Sequence, residues 1–299
     1  HILAMRDLGK SIGFLETGID PDGRMRTNFG IAGTNTGRFN SSVSDFGTGT
    51  NLQNVTSALR SVFVADPGMK FANLDLEQSD SRNVGALCWN QFVKSHGEKW
   101  AGKYLDLCES GDLHTNVCKM ASPDLGWGKT YDEEGNLLTD RQIADQPAYR
   151  HKTYRDNSKI LGHGSNYLGT PATMSKHSKL PKALVETFQT NYFSSLPCIP
   201  AWHKSVFEAL ETLGYLTTPF GRRRYFFDRP KEASTRREAV AYQPQSMTAD
   251  EINTGILKLH QNPNIQLLIQ VHDSILFQFP EEMENEIVPW ALEQLKTRI

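Results

Sequence analysis

The sequence predicts a globular chain that mixes α-helices with β-hairpins, organised as one large domain or two lobes. Three observations carry this. Residues 265–269 and 275–279 are rich in branched and aromatic side chains and flank a polar tip, so they read as the strands of a tight hairpin. Residues 69–75 alternate as a strand, and from about Ser79 the spacing of Val84, Leu87 and Cys88 turns helical. Residues 90–150 read as mainly helical, interrupted by a polar segment at 132–146.

Composition narrows the class. With 38% hydrophobic and 22% charged residues over 299 positions, the chain can bury a core, and no run approaches the ~18 apolar residues that a spanning helix needs. There is no basic-then-apolar leader, so a soluble, intracellular protein is expected. Cys88, Cys108, Cys118 and Cys198 form no C-x-x-C pair, which points to buried free thiols in a reducing compartment and away from zinc. A formal net charge of -2 gives no general attraction to a polyanion; a nucleic-acid partner requires the 32 basic residues to be clustered. The start at His1 and the stop at Ile299, straight after a helical stretch, suggest a fragment.

Taken in order, the first thirty residues combine a short helical pattern, a turn at Asp20-Pro21-Asp22-Gly23 and an alternating strand over 24–29. A polar stretch follows, with Thr36-Gly37-Arg38 and Asn51-Leu52-Gln53-Asn54; by itself it is a surface loop. Asp75 falls where strand gives way to helix, as a presented acid or a helix cap. Asp112-Leu113-His114-Thr115 reads as a helix start. Over 149–167, Arg155, Lys159, His163 and Tyr167 recur every four residues, so on a helix they share one face, either a solvated basic face or a functional one. Gly162 and Gly164 each cost a helix about 1 kcal/mol relative to Ala, which implies a close approach to the backbone or a bend.

After Pro171 come amphipathic helices, including 200–213, and then a hairpin over 214–225 with a Pro/Gly turn. Seven basic residues lie between Arg222 and Arg237, interleaved with Tyr225, Phe226 and Phe227, a pattern shared by nucleic-acid surfaces and by solvated basic loops. A helix over 236–260 carries Gln245, and an amphipathic, acidic tail over 281–298 is kinked at Pro289. No internal repeat is visible. At the hairpin tip, Asp273 reads equally as a polar turn residue or as a carboxylate that holds a cation.

Two separated acids on sheet elements, a cationic helix face and an arginine-rich hairpin together form a parts list for phosphoryl transfer on a polyanion. Magnesium takes oxygen ligands and usually one or two protein carboxylates, and two such ions can activate an attacking oxygen and stabilise a leaving one. The motifs also resemble, in order and over nearly the whole length, the polymerase domain of the family A DNA polymerases, the group of bacterial DNA polymerase I and its bacteriophage relatives. Thr36-Gly37-Arg38 with Asn51-Leu52-Gln53-Asn54 is similar to the T-G-R…N-L-Q-N segment. Asp75-Leu76-Glu77-Gln78-Ser79-Asp80-Ser81-Arg82 resembles motif A, and Asp112-Leu113-His114 a D-I-H segment. Arg155, Lys159, Gly164 and Tyr167 fit motif B; Gly214-Tyr215, Gly221-Arg222-Arg223, Arg237 and Gln245 fit the next run; Val271-His272-Asp273 resembles motif C.

The resemblance implies an α+β fold: a right-hand polymerase palm, an antiparallel sheet with helices bearing Asp75 and Asp273, plus helical fingers. It places the first part of the palm at 1–90, with the end of the thumb region at its start, the fingers at 91–210 and the second part of the palm at 211–299, with most of the thumb lacking. It implies template-directed DNA synthesis, the primer 3′-hydroxyl attacking a dNTP. Asp75 and Asp273, with the Leu76 carbonyl, would hold two Mg2+ ions, Mn2+ being a substitute. Arg155 and Lys159, with His114, would grip the triphosphate, with Lys159 counted as catalytic; Gln78, Asp80, His163 and Tyr167 would border the incoming nucleotide. Arg38, Asn51, Gln53, Arg222, Arg223, Arg237, Gln245 and His272 would contact primer and template. The implied partners are primer-template DNA, dNTPs and replication accessory proteins, without a membrane, for a monomer in the cytoplasm of a bacterial or phage-infected cell or in an organelle.

Departures from the family pattern carry their own expectations. Asp80 stands where the family usually has Glu, one methylene longer, so weaker exclusion of a ribose 2′-hydroxyl is expected. His163 replaces Phe or Tyr and offers an imidazole donor to the triphosphate. Ser274 replaces an acid that often follows the motif C aspartate, leaving two carboxylates for metal, and Ala241 replaces an Asn. Two other readings compete: Asp75-Leu76-Glu77 is also the D-x-E of metal-dependent 3′-5′ exonucleases, though no later Asp has Tyr or His four residues before it, and a non-catalytic DNA-binding fragment would not need both acids. Single-subunit RNA polymerases share the palm but not these motif A and B patterns.

Overall fold

The computed structural model describes residues 2–149 and 152–296. In chain order its first elements are α1 (Ile2–Leu15), β1 (Asn28–Gly30), β2 (Asn40–Ser42), β3 (Met69–Asp75), α2 (Ser79–His96), α3 (Glu98–Ala101), α4 (Lys103–Glu109), α5 (Leu113–Ala121), α6 (Asp140–Ala144), β4 (Pro147–Tyr149) and β5 (Lys152–Thr153). Then come α7 (Tyr154–Asn166), α8 (Pro171–Ser178), α9 (Lys182–Ser195), α10 (Cys198–Thr212), β6 (Tyr215–Thr217), β7 (Arg223–Tyr225), α11 (Ala233–Leu259), β8 (Gln266–Val271), β9 (Ser274–Pro280) and α12 (Glu284–Leu295). These fall into two compact units, one running to Glu77 and resuming at Gln245, the other spanning Gln78–Pro244. The chain passes from the second unit back to the first inside α11, at Pro244, whose missing N–H removes a bond from the helical ladder.

The first unit is built on an antiparallel sheet of order β3-β9-β8. Strand alternation decides which side chains go where. Ile275, Phe277 and Phe279 of β9 enter a cluster with Ile252 and Leu259 of α11 and Ile287, Ala291 and Leu295 of α12, and Ala72 and Leu74 of β3 pack against it. Asn73 and Asp75, one residue out of phase with those core positions, are exposed. A register shift between Leu267 and Ile269 puts an extra residue into β8 before the hairpin tip. The strand expected over 24–29 is confined to β1, because Arg24 and Arg26 turn instead to Asp20, Asp22 and Asp66. Helix α12 runs through Pro289; the end of the expected tail, past Lys296, lies outside the described residues.

The second unit is mostly helical, with small two-stranded sheets. Its core includes Tyr104, Leu113, Ile143, Leu161, Tyr192, Leu196, Trp202 and Leu210. The expected polar interruption begins earlier than 132: residues 122–139 are irregular, and α6 starts inside the predicted break because Thr139 and Gln142 form a capping box. The pairing of β4 with β5 was not foreseen; Pro147 resists helix, and a second capping box at Thr153 and Asp156 delays α7 to Tyr154. Residues 150 and 151, inside the stretch read as one segment, lie outside the described residues. The four cysteines are free and buried.

Candidate functional site

In the first unit, the pairing of β3 with β9 aligns Met69 with Pro280 at one end and Asp75 with Ser274 at the other. Asp273 is the residue before Ser274, and the Leu76 amide donates to the Asp273 carbonyl at 2.9 Å, so the ladder extends one bond beyond the strands and ties the two acids' backbones together. Two carboxylates separated by nearly two hundred residues thus share one sheet end. Removal of water by the surrounding protein, and then the like charge of Asp273, push the Asp75 carboxyl above its ordinary value of 3.8.

The hairpin tip is strained and held. His272 adopts left-handed backbone geometry (φ 54°), as two-residue hairpin loops require but non-glycine residues resist. Gln270, itself buried, donates through Nε2 to the His272 carbonyl at 2.7 Å. Gln53 Nε2 donates to the Gln270 carbonyl at 3.0 Å and to Gln270 Oε1 at 3.2 Å, and Ser274 Oγ closes on the Val271 carbonyl at 3.0 Å. Gln53 and Asn51, expected at DNA, therefore have structural work as well: Asn51 Oδ1 accepts from the Gln53 amide and from Ser41 Oγ, capping the 3-10 turn Leu52–Asn54. Arg38 sits in a neighbouring turn whose Gly37 carbonyl accepts from Asn253 of α11 at 3.3 Å, and Gln245 is half-buried on that helix.

The donor set fits a hard divalent cation. Asp75 and Asp273 offer oxygen ligands, and an acid whose charge is disfavoured by its neighbour is stabilised by a cation placed against both. Among the described residues no group of three or more His, Cys, Asp or Glu is placed to hold a metal ion, so this pair is the whole of the protein's carboxylate offer at the sheet end.

In the second unit, α7 carries the expected stripe. Lys159 and His163 are exposed and Arg155 and Tyr167 are half-buried, while Ser158, Leu161, Gly162 and Ser165 are buried on the other face. A Cβ at Gly164 would collide with the Met174 sulfur, so close approach accounts for that glycine, whereas a Cβ at Gly162 would meet Val117 of α5 and Tyr192 of α9 only at ordinary contact distance. The helix end is locked by a buried network: Asn166 Nδ2 donates to Tyr104 Oη at 2.9 Å, Tyr192 Oη donates to Asn166 Oδ1 at 2.8 Å, and His203 Nε2 lies 2.8 Å from the Asn166 carbonyl.

Asp112 clamps the stripe. It caps α5, taking the Thr115 amide, and it also accepts Arg155 through Nε and Nη2 at 3.0–3.2 Å and Arg141 at 2.9 Å. Burial alone would raise its carboxyl; the bonds from Arg155, Thr115 and Arg141 outweigh burial and hold it well below the ordinary range. His114, next in the chain but one, is driven down to about 4 by burial and by the positive charges of Arg155 and Lys159, so it is a neutral imidazole at pH 7. Tyr167 Oη donates to Asp80 Oδ2 at 3.1 Å, and the Tyr167 ring meets the His163 ring edge-on at 4.8 Å. Gln78 starts α2 in left-handed geometry (φ 56°). Neither the Asp112 clamp nor the roles of Gln53 and Gln270 was visible in the motifs; a polar residue between Ile269 and Val271 in β8 was the available signal for Gln270.

The arginine-rich hairpin is only partly available to a polyanion. Arg224 pairs with Glu238 at 2.6 Å and stacks over Phe226, and Arg236 pairs with Glu211 at 2.8 Å and stacks over Phe207. Arg223 and Arg237 are exposed, and the Arg222 backbone is held by Thr218 and Tyr242.

The sequence profile of DNA polymerase family A matches residues 139–298. The chain belongs to DNA polymerase family A. This family A chain is 27% identical to the thermostable DNA polymerase I of Thermus filiformis, covering 95% of the chain and 32% of that relative. It is 26% identical to the Thermus aquaticus enzyme of the same name, covering 99% of the chain and 33% of the relative. To the DNA polymerase of Mycobacterium phage D29 it is 22% identical over 76% of the chain and 32% of the relative. The chain spans about a third of the length of the relatives it matches. A solved structure of the POL domain of Pol1 from M. smegmatis, in complex with DNA primer-template and dNTP, superimposes with a TM-score of 0.75 at 22% identity, covering 99% of this chain and 48% of that one. The α+β polymerase fold expected from the sequence is the fold of this chain.

Proposed function

We propose that the chain performs template-directed DNA synthesis, the 3′-hydroxyl of a primer attacking the α-phosphate of a dNTP with loss of pyrophosphate. The observation that carries the proposal is the alignment of Asp75 with Ser274, which brings Asp273 to the same sheet end as Asp75. Asp75 and Asp273, with the Leu76 carbonyl, would hold Mg2+, which when bound supplies charge neutralisation and activation of oxygen nucleophiles. Family membership and the fold support the reading.

The roles then follow from local chemistry. Lys159, exposed on α7, and the edge of Arg155 that Asp112 does not hold neutralise the triphosphate. The Asp112 clamp fixes the Arg155 guanidinium in advance, so little side-chain freedom is lost on binding. His114 and His163 add imidazole donors, while Asp80, fixed by Tyr167, and Gln78 border the sugar. His272, Arg38, Arg222, Arg223, Arg237 and Gln245 contact primer and template, with Asn51 and Gln53 supporting the loop beside the hairpin. Residues 1–90 and 211–299 act as palm and 91–210 as fingers, in a monomer that works on primer-template DNA in the cytoplasm.

The test is primer extension with Mg2+ and each dNTP in turn. The proposal expects incorporation only of the nucleotide complementary to the template, and its loss in Asp273→Asn. Nucleotide release from single-stranded DNA without added dNTP, or untemplated addition, would replace this reading with another.

A further inference from the structure

Strand alternation splits the arginine-rich hairpin into two faces with opposite fates. Arg224 and Phe226 turn inward, where Glu238 and the Tyr242 ring of α11 hold them. Arg223, Tyr225 and Phe227 turn outward. Phe227 is 94% exposed and Tyr225 51% exposed. Their rings lie nearly parallel, 19° apart with centroids at 6.4 Å; the Tyr225 ring continues to Tyr215 across the strand pair at 5.3 Å, and the Arg223 guanidinium covers Tyr215 at 4.5 Å. This is a strip of three aromatic rings ending in a cation. Phe227 contributes nothing to the core, since almost none of it is buried.

We infer that the strip Tyr215–Tyr225–Phe227 with Arg223 is a stacking platform for the unpaired bases of single-stranded DNA. Every base has a π-face, so exposed aromatics spaced along a strand bind single strands without reading sequence, while cations follow the phosphates. Charge argues for a polyanion over a protein partner. Residues 214–237 contain seven basic and two acidic residues. Even with Arg224 and Arg236 discounted against Glu238 and Glu211, the positive charges of Arg222, Arg223, Arg229, Lys231 and Arg237 outnumber the negative ones of Asp228 and Glu232. The inference rests on the DNA reading for its ligand, but not on nucleotidyl transfer.

The experiment is fluorescence anisotropy with labelled oligo(dT) and with a blunt duplex of equal length, in buffer free of dNTP and divalent ions, so that its outcome is separate from that of primer extension. Phe227→Ala is expected to weaken oligo(dT) binding by at least about fivefold with little change in duplex binding, and with an unchanged salt slope, since no phosphate contact is removed. Phe227→Trp is expected to restore binding, and the emission of the introduced indole to be quenched by oligo(dT). Circular dichroism and thermal melting of both variants should match the parent at so exposed a position. Unchanged oligo(dT) affinity in Phe227→Ala, equal losses on single strand and duplex, or indole emission in Phe227→Trp that is indifferent to oligo(dT) would each overturn the inference and leave the strip to a protein partner.

Discussion

Replacing Gln270 by alanine tests whether the hairpin tip is held by side chains or merely turns there. The substitution removes the 2.7 Å bond to the His272 carbonyl and the acceptor that Gln53 Nε2 meets at 3.2 Å. The His272 carbonyl lies at an exposed tip and regains water, and Gln53 Nε2 keeps the Phe39 and Gln270 carbonyls at 3.2 and 3.0 Å, so the main cost is the loss of the two side-chain bonds themselves. Losses of about 1–2 kcal/mol are expected for Gln270→Ala and, through the bonds to Phe39 and Gln270, for Gln53→Ala. Because the two amides share one bond, the double variant should lose less than the sum, with a coupling of about 0.5–1.5 kcal/mol in urea unfolding. Gln270→Glu separates the two contacts, keeping an acceptor for Gln53 while losing the donor to His272. In steady-state extension, displacement of the tip by even about 1 Å can cost ~100-fold, so Gln270→Ala should lower kcat by about 10- to 100-fold while the KM for dNTP changes little. Strict additivity of the two stability losses, or a kcat within twofold of the parent, would refute the reasoning.

Further expectations concern the charges. The folded value of Asp75 is raised above the unfolded 3.8, so its favourable contribution is present in acid and lost as pH rises through the folded value; Asp75→Asn should therefore melt higher than the parent at pH 7 in chelator, the gap closing below about pH 3.8. His114 runs in the opposite sense: with its folded value lowered to about 4 against 6.5, the parent should lose stability as pH falls between those values, and His114→Asn should lose less in chemical unfolding across that window. His203, also lowered to about 4 by burial, adds to the same slope, and a curve unchanged by His114→Asn would reject the neutral imidazole. Tyr167→Phe frees Asp80 from its 3.1 Å bond, and the ratio of kcat/KM for dNTP over NTP should fall by about 3- to 30-fold; an unaltered ratio would separate Asp80 from sugar selection.

The elements legible in the sequence were those with strong local signals. The alternation around Asp75, the apolar strands around Asp273 and the four-residue recurrence from Arg155 to Tyr167 all appear in the structure, because each is dictated by period and by one buried face. Capping boxes, as short as four residues, decided the starts of α6 and α7 against the coarser helical reading. Contacts between distant polar residues had no such signature. Nothing in Asp112-Leu113-His114 announces that the carboxylate will clamp Arg155 forty-three positions later, and Gln53 meets Gln270 across 217 positions. The arginine cluster was legible as charge, but its division into paired and outward-facing members depends on Glu211 and Glu238, which lie on helices outside the stretch.

The central claim is that Asp75 and Asp273 act as one divalent-ion site for DNA synthesis. Single-turnover incorporation with Mg2+ by Asp75→Asn, Asp273→Asn and the double variant tests it most directly, since groups that work as a unit are not additive. The account predicts that each single substitution slows incorporation by at least about a thousandfold and that the double variant is no slower than the worse single one. Losses that multiply in the double variant, or either single variant within about tenfold of the parent, would contradict it.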